Sequence, residues 1–401
     1  MGTRIASTAL PALSIVVALV LVWRVVVVGT EALREGGLAA SREDLQAPLE
    51  TEAPDLRWRA KLAHNPTDYV AMVMQSLELE RQGRMADARA AMSEATHLAP
   101  TNRQTLLQAA AFYLRAGDEP QALAALRRAA DLYPDRGRIW PVLVAELDAG
   151  RHEDYFAGVA RDNPEWWPEF FAEACQSAKN VDALQRIFAT RATAGTVSIG
   201  ERRCLIDRLQ REKRWASAYQ AWLNSLPAEQ RQRVGYVFNG RFELPISNLG
   251  FDWTLPAPEG VNVDAQPVAG ATGRRALRVE FVNMRWGGPP VRQYLMLFPG
   301  RYRFEGRGRA DGLETWLGVQ WGLYCLAESG TELQLARSDR FLGSTEWEEW
   351  REDFTVPGDC PVQVLRLELA NPRRDADTPG DVAARLRGTV WFDDFRVRSL
   401  D

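Results

Sequence analysis

The chain has 401 residues, 46% of them apolar and 25% charged, with a formal net charge of -4. That is a globular balance sized for two or three domains, without the basic field that binding to nucleic acid requires. Its three lysines (Lys61, Lys179, Lys213) include no Gly-Lys pair, its three histidines (His64, His97, His152) form no H-E-x-x-H, and its four cysteines form no C-x-x-C. Phosphate-cradling loops and the usual zinc spacings are thereby excluded.

In chain order, the first signal is an apolar run over residues 9–28, interrupted only by Pro11, Ser14 and Arg24. Crossing about 30 Å of hydrocarbon takes about 20 helical residues, so residues 1–30 are predicted to be a transmembrane anchor, with Arg24 snorkelling beside Trp23. A cleaved signal peptide is the competing reading, but its apolar region is usually about 7 to 15 residues long. Arg4 precedes the run and Glu31, Arg34 and Glu35 follow it, which places the N-terminus inside. On this reading the protein is a single-pass protein of the inner membrane with a periplasmic bulk, where disulfides form. Residues 31–60, with Pro48 and Pro54, read as a linker.

A period of 34 then appears. Gly83 recurs as Gly117, Ala88 as Ala122, Ala95 as Ala129, Arg81 as Arg115, and Pro66 as Pro100 and Pro134. This is the length of a unit of two helices, with small residues at their contact, glycine ending the first and proline the second. The pattern resembles the tetratricopeptide repeat, with Tyr113 as its first-helix aromatic, although Met72 and Leu106 stand where a large aromatic is usual. The expectation is an all-α solenoid over residues 61–232. Two of its five repeats are clear. A third opens at Trp140 with shorter helices, and further pairs lie near Glu165–Arg191 and Ile199–Leu226. The resemblance implies a protein partner in a concave groove, here lined by Val73, Leu77, Arg81, Gln104, Leu107, Ala111 and Arg115. Packing between helices explains the aliphatic positions equally well.

Past Val234 the period changes to 2. Leu277, Val279 and Phe281, then Tyr302 and Phe304, then Leu365, Leu367 and Leu369 alternate with charged residues, and Pro299-Gly300 and Pro357-Gly358 mark turns. Residues 236–401 are therefore expected to form an all-β sandwich of eight or more strands. A strand over Thr315–Leu326 would place Trp316, Gln320 and Tyr324 on one face. A flat aromatic flanked by polar groups suits the apolar face and hydroxyl rim of a sugar. Trp286, Trp347 and Trp350 are expected in loops and join the glycan-binding candidates.

The segments Asn239-Gly240-Arg241-Phe242-Glu243, Pro299-Gly300-Arg301-Tyr302-Arg303-Phe304 and Trp391-Phe392-Asp393-Asp394-Phe395-Arg396-Val397 resemble the jelly-roll carbohydrate-binding modules of the galactose-binding-like superfamily. The resemblance implies a polysaccharide partner. It also implies a structural calcium held by Glu243 with Asp393 or Asp394; no other cofactor is required. Cys325 and Cys360, ending one strand and opening another, are a disulfide candidate. Cys175 and Cys204 read as either a pair or free thiols.

Glycosidase or lyase chemistry needs two carboxylates about 5 to 10 Å apart. The acid cluster Glu346–Asp353 reads as a solvated turn instead, and no histidine follows residue 152. The expectation is a non-catalytic, membrane-anchored scaffold in cell-envelope or exopolysaccharide assembly. A purely protein-binding assembly factor and a polysaccharide-active enzyme are the alternatives.

Overall fold

A computed structural model describes residues 54–255, 259–285, 288–370 and 385–401. The chain divides into two compact units after Leu132.

The first unit carries α1 (Pro54–His64), α2 (Tyr69–Arg81), α3 (Met85–Leu98), α4 (Arg103–Arg115) and α5 (Glu119–Leu132). Its 34-residue period has a local cause at each recurrence. Asp68 caps α2 through Ala71 N at 2.9 Å, and Asn102 caps α4 through Thr105 N at 2.9 Å. Gly83 and Gly117 stand at φ +75° and +70°, where a Cβ is strained. Around them the same closing bond recurs, Arg84 N to Leu79 O at 2.9 Å and Asp118 N to Tyr113 O at 2.8 Å. Ala88, Ala95, Ala122 and Ala129 are fully buried, which lets the paired helices approach.

The second unit opens with α6 (Trp140–Ala149), α7 (Glu153–Asp162), α8 (Trp167–Ser177), α9 (Val181–Ala194), α10 (Ile199–Arg211), α11 (Trp215–Ser225) and α12 (Ala228–Arg231). Trp140, Phe156, Trp166, Trp167, Phe170 and Phe171 fill the core of its first helices. A disulfide joins Cys175 of α8 to Cys204 of α10, and the buried Arg208 donates to Cys175 O at 2.9 Å and Ala178 O at 2.6 Å. The compact-unit boundary lies after Leu132 and not between residues 232 and 236, because α10 and α11 seat on loops of the β domain. Trp222 packs on Phe238 and Phe251, and Gly250, at φ +62°, leaves room that a Cβ would take at 2.7 Å from that indole.

The β domain has two antiparallel sheets. One runs β1 (Val261–Pro267), β2 (Arg275–Arg285), β9 (Arg385–Ser399), β4 (Gly300–Glu314), β7 (Gly343–Val356); the other runs β3 (Arg292–Leu295), β8 (Gln363–Leu369), β5 (Val319–Leu326), β6 (Glu332–Arg337). Neighbours remote in sequence, such as β2 with β9 and β3 with β8, are the crossovers of a Greek-key sandwich. Phe242, Trp253, Leu277, Phe304, Trp321, Phe392 and Phe395 occupy its core, and a second disulfide, Cys325–Cys360, ties the end of β5 to the segment entering β8.

Three expectations are corrected. No helix among the described residues is long and apolar enough to cross a membrane, so the inner-membrane, periplasmic assignment is withdrawn; its basis, residues 9–28, lies outside the described residues. The strand expected from Thr315 begins at Val319, with Trp316 on a bend before it, because Gly318 turns the chain at φ +79°. Glu346–Asp353 is not a turn but part of β7, an edge strand. Outward charge there blocks further pairing of the sheet.

Candidate functional site

The outer face of the four-stranded sheet gathers the most ordered polar cluster. Alternation along β5 sends Val319, Trp321, Leu323 and Cys325 into the core and turns Gln320, Gly322 and Tyr324 to the opposite face, where Gln320 and Gly322 are buried and Tyr324 is half-buried. Antiparallel register sets Glu368 opposite Gln320, and Arg366 opposite Gly322, on β8. Glu368 is the hub. Its Oε1 accepts from Tyr324 Oη at 2.7 Å and Gln320 Nε2 at 3.2 Å, and its Oε2 accepts from Arg366 Nε at 3.4 Å. Arg366 also makes a two-pronged contact with Glu332 of β6, at 2.8 and 3.1 Å, and lies 4.2 Å from the Tyr324 ring centre.

Gly322 makes this arrangement geometrically feasible. A Cβ there would lie 2.4 Å from Tyr324 Cε2 and 2.6 Å from Glu368 Oε1. Burial, and then the bond to the Glu368 carboxylate, push the Tyr324 phenol well above its ordinary range, so it remains a donor. Burial opposes the Arg366 charge, but Glu332 and Glu368 outweigh it and raise the guanidinium above its usual value.

In the segment leading into β5, Trp316 is 65% exposed on the bend before Gly318, whose carbonyl accepts from Ala370 N at 2.9 Å. At the β3 edge of the sheet Tyr294, in register with Val364 and through it with Tyr324, is flanked by Trp215 at 5.2 Å and Phe251 at 6.4 Å. Tyr294, Arg292, Arg366 and Glu368 were not singled out as ligand contacts from sequence. The signal for the β8 pair was the alternation of Arg366 and Glu368 with Leu365, Leu367 and Leu369; β3 is too short to announce itself.

The remaining candidates do not join this face. Trp350 is a core residue, 4% exposed and ringed by Phe304, Phe341, Phe392 and Phe395, because Gly306 leaves it space. Trp347 lies on β7 rather than a loop, donating to Ala269 O at 3.1 Å with Arg307 4.6 Å from its ring centre. Trp286 lies outside the described residues.

The three expected calcium ligands do not converge on one cation. Glu243 Oε1 accepts from Arg274 N at 2.7 Å and Arg275 N at 3.0 Å, the buried Asp393 accepts from Thr272 N at 2.6 Å and Asp394 N at 2.7 Å, and Asp394 Oδ1 takes Arg241 at 2.9 Å and Arg396 at 2.5 Å. Each carboxylate thus already accepts from backbone N–H or guanidinium donors. Burial raises the Asp393 carboxyl above its ordinary value. Among the described residues no three acidic, histidine or cysteine side chains group as a metal site.

In the first unit, Val73 of the expected groove is buried between helices, while Leu77, Leu107 and Ala111 are half-buried and Gln104 is exposed. Arg81 pairs with Glu78 within its own helix, and Arg115 spans to Glu80 at 2.7 and 2.8 Å. The arginines thus join helix surfaces, and the apolar trio is what remains open.

No family model matches the chain, and no curated protein matches it. Among solved structures it is similar to a xylan-binding domain from Paenibacillus barcinonensis Xyn10C, with 13% identity over 40% of this chain and 92% of that one and a TM-score of 0.28. A family 16 carbohydrate binding module gives 18% identity over 41% of this chain and 100% of that one, TM-score 0.28. The C-terminal family 22 carbohydrate binding module of Clostridium thermocellum Xyn10B gives 17% over 41% and 93%, TM-score 0.29. The sandwich assignment rests on strand order and register, not on these values.

Proposed function

We propose that the chain is a non-catalytic binding protein whose four-stranded sheet holds a carbohydrate chain on its outer face, while its helical pairs engage a protein partner. The observation that carries this reading is the cluster centred on Glu368, a carboxylate held by Tyr324, Gln320 and Arg366, with the exposed Trp316 on the bend that leads into β5. Sugar hydroxyls call for fixed donors and acceptors, and a pyranose ring for an open indole. The cluster offers both without a second free carboxylate to do acid-base work. Glu368 is bound up with three partners, and on β7 Asp353 is paired with Arg303 and Glu349 with Arg351.

Calorimetric titration of the full chain with soluble glycans tests the proposal. Binding that weakens at least tenfold in Glu368→Gln, with the melting temperature unchanged, supports it. If no glycan binds, the proposal fails and a protein-binding factor remains. Release of reducing ends or unsaturated products from any glycan would overturn the non-catalytic part.

A further inference from the structure

Across the four-stranded sheet, register aligns one row of residues on the outer face. Arg292 of β3 faces Arg366 of β8, Arg366 faces Gly322 of β5, and Gly322 faces Arg337 of β6. Three guanidinium groups therefore stand in line over four strands spaced about 4.8 Å apart. Like charges on adjacent strands repel, so a row of this kind needs compensation. Only the central arginine has it, since Glu332 and Glu368 both bond to Arg366. Among the described residues neither Arg292 nor Arg337 has a carboxylate partner. Arg292 lies 5.8 Å from the Tyr294 ring centre, and its Nε is buried without a hydrogen-bond acceptor.

The end of the face beyond Tyr294 is bordered by the corner between α10 and α11. Trp215 meets Tyr294 at 5.2 Å, and Lys213 Nζ donates to Glu328 O, in the turn between β5 and β6, at 3.0 Å. Lys213 stands at φ +57°, the corner position that Gly83 and Gly117 hold in the first unit. Its ammonium group is a further cation at this end of the face.

We infer that this face selects glycans that carry carboxylates, with Arg292 and Arg337 as the anion contacts on either side of the Glu368 cluster. The inference rests on the carbohydrate reading and names the class of sugar, uronate-bearing chains. A planar guanidinium suits a uronate because it can offer two parallel N–H donors to both oxygens. Arg366, satisfied by its own acids, remains a fixed part of the floor.

The test uses the full chain and four probes: polygalacturonate, the same backbone fully methyl-esterified, alginate and uncharged hydroxyethylcellulose. The expected result is binding to at least one acidic polymer, at least tenfold weaker for the ester, and weaker at 0.5 M than at 0.05 M salt. Arg292→Gln with Arg337→Gln should lose at least tenfold on the acidic polymer, and Arg292→Lys with Arg337→Lys should recover part of it, all with wild-type melting curves. Equal binding of acid and ester, or no effect of the glutamine pair, overturns this inference and leaves the carbohydrate reading standing. Retention of uncharged hydroxyethylcellulose but of neither acid does the same. Binding to none of these polymers overturns both.

Discussion

Gly322→Ala tests the architecture of the face with a single methyl group. Gly322 has no left-handed φ to lose, so the only perturbation is the new Cβ, 2.4 Å from Tyr324 Cε2 and 2.6 Å from Glu368 Oε1. Overpacking a rigid core costs about 1 to 3 kcal/mol. Here the blocked side chains can rotate away, so the expected loss of stability is that of the Tyr324–Glu368 bond, about 1.5 to 3 kcal/mol. What rotation destroys is the Tyr324–Glu368 bond and with it the position of the carboxylate. A sugar hydroxyl bonded to the fixed carboxylate would contribute about 1.5 to 3 kcal/mol, so losing that contact should lower glycan affinity about 10- to 100-fold. Gly306→Ala makes the converse comparison: its Cβ would lie 2.3 Å from Trp350 Cζ2 inside the sandwich, where nothing can swing out. It should cost several kcal/mol without touching the face. Urea unfolding and calorimetric titration of both variants separate the effects. The reasoning is refuted if Gly322→Ala binds glycan as tightly as the wild type.

The raised Tyr324 phenol gives a pH prediction. A folded value above the ordinary 10.0 means that its stabilisation is complete below that pH and is lost only as pH rises through the higher folded value. Titration at 295 nm should therefore show the same absorbance gain near pH 10 to 10.5 in wild type and Tyr324→Phe; a gain smaller by one phenol in the variant would contradict the hydrogen-bonded geometry. Chelation should leave the melting temperature within about 1 °C, because protein donors already occupy Glu243, Asp393 and Asp394; a calcium-dependent rise of several degrees would restore the metal reading. Reduction should cost roughly 4 kcal/mol for each disulfide on the loop-entropy argument, given separations of 29 and 35 residues. Unchanged urea midpoints in reductant would refute that figure.

The helical half was legible because its signal is local. Asp68 and Asn102, Gly83 and Gly117, and the four buried alanines each do a job set by their immediate neighbours, so a 34-residue step shows directly in the letters. The β domain was legible as strands but not as faces. Trp316 and Leu317 continue the alternation of β5 past the point where the chain bends, so period alone extended the strand. The acids of β7 disguised a strand as a turn because edge strands tolerate outward charge on consecutive residues. Trp347 and Trp350 went with them: three residues apart, they take opposite sides of the sheet, one over Arg307 and one in the core. The row Arg292, Arg366, Gly322, Arg337 spans four strands whose pairing is set by crossovers far apart in the chain. No spacing in the sequence encodes that adjacency.

Hydrogen exchange of the full chain, with and without a bound glycan, tests the central claim most directly because it locates the ligand as well as detecting it. The account predicts slowed exchange in residues 316–326 and 363–369, with the five-stranded sheet unchanged. Protection confined to that opposite sheet or to the helices, or no glycan that protects any segment, would contradict it.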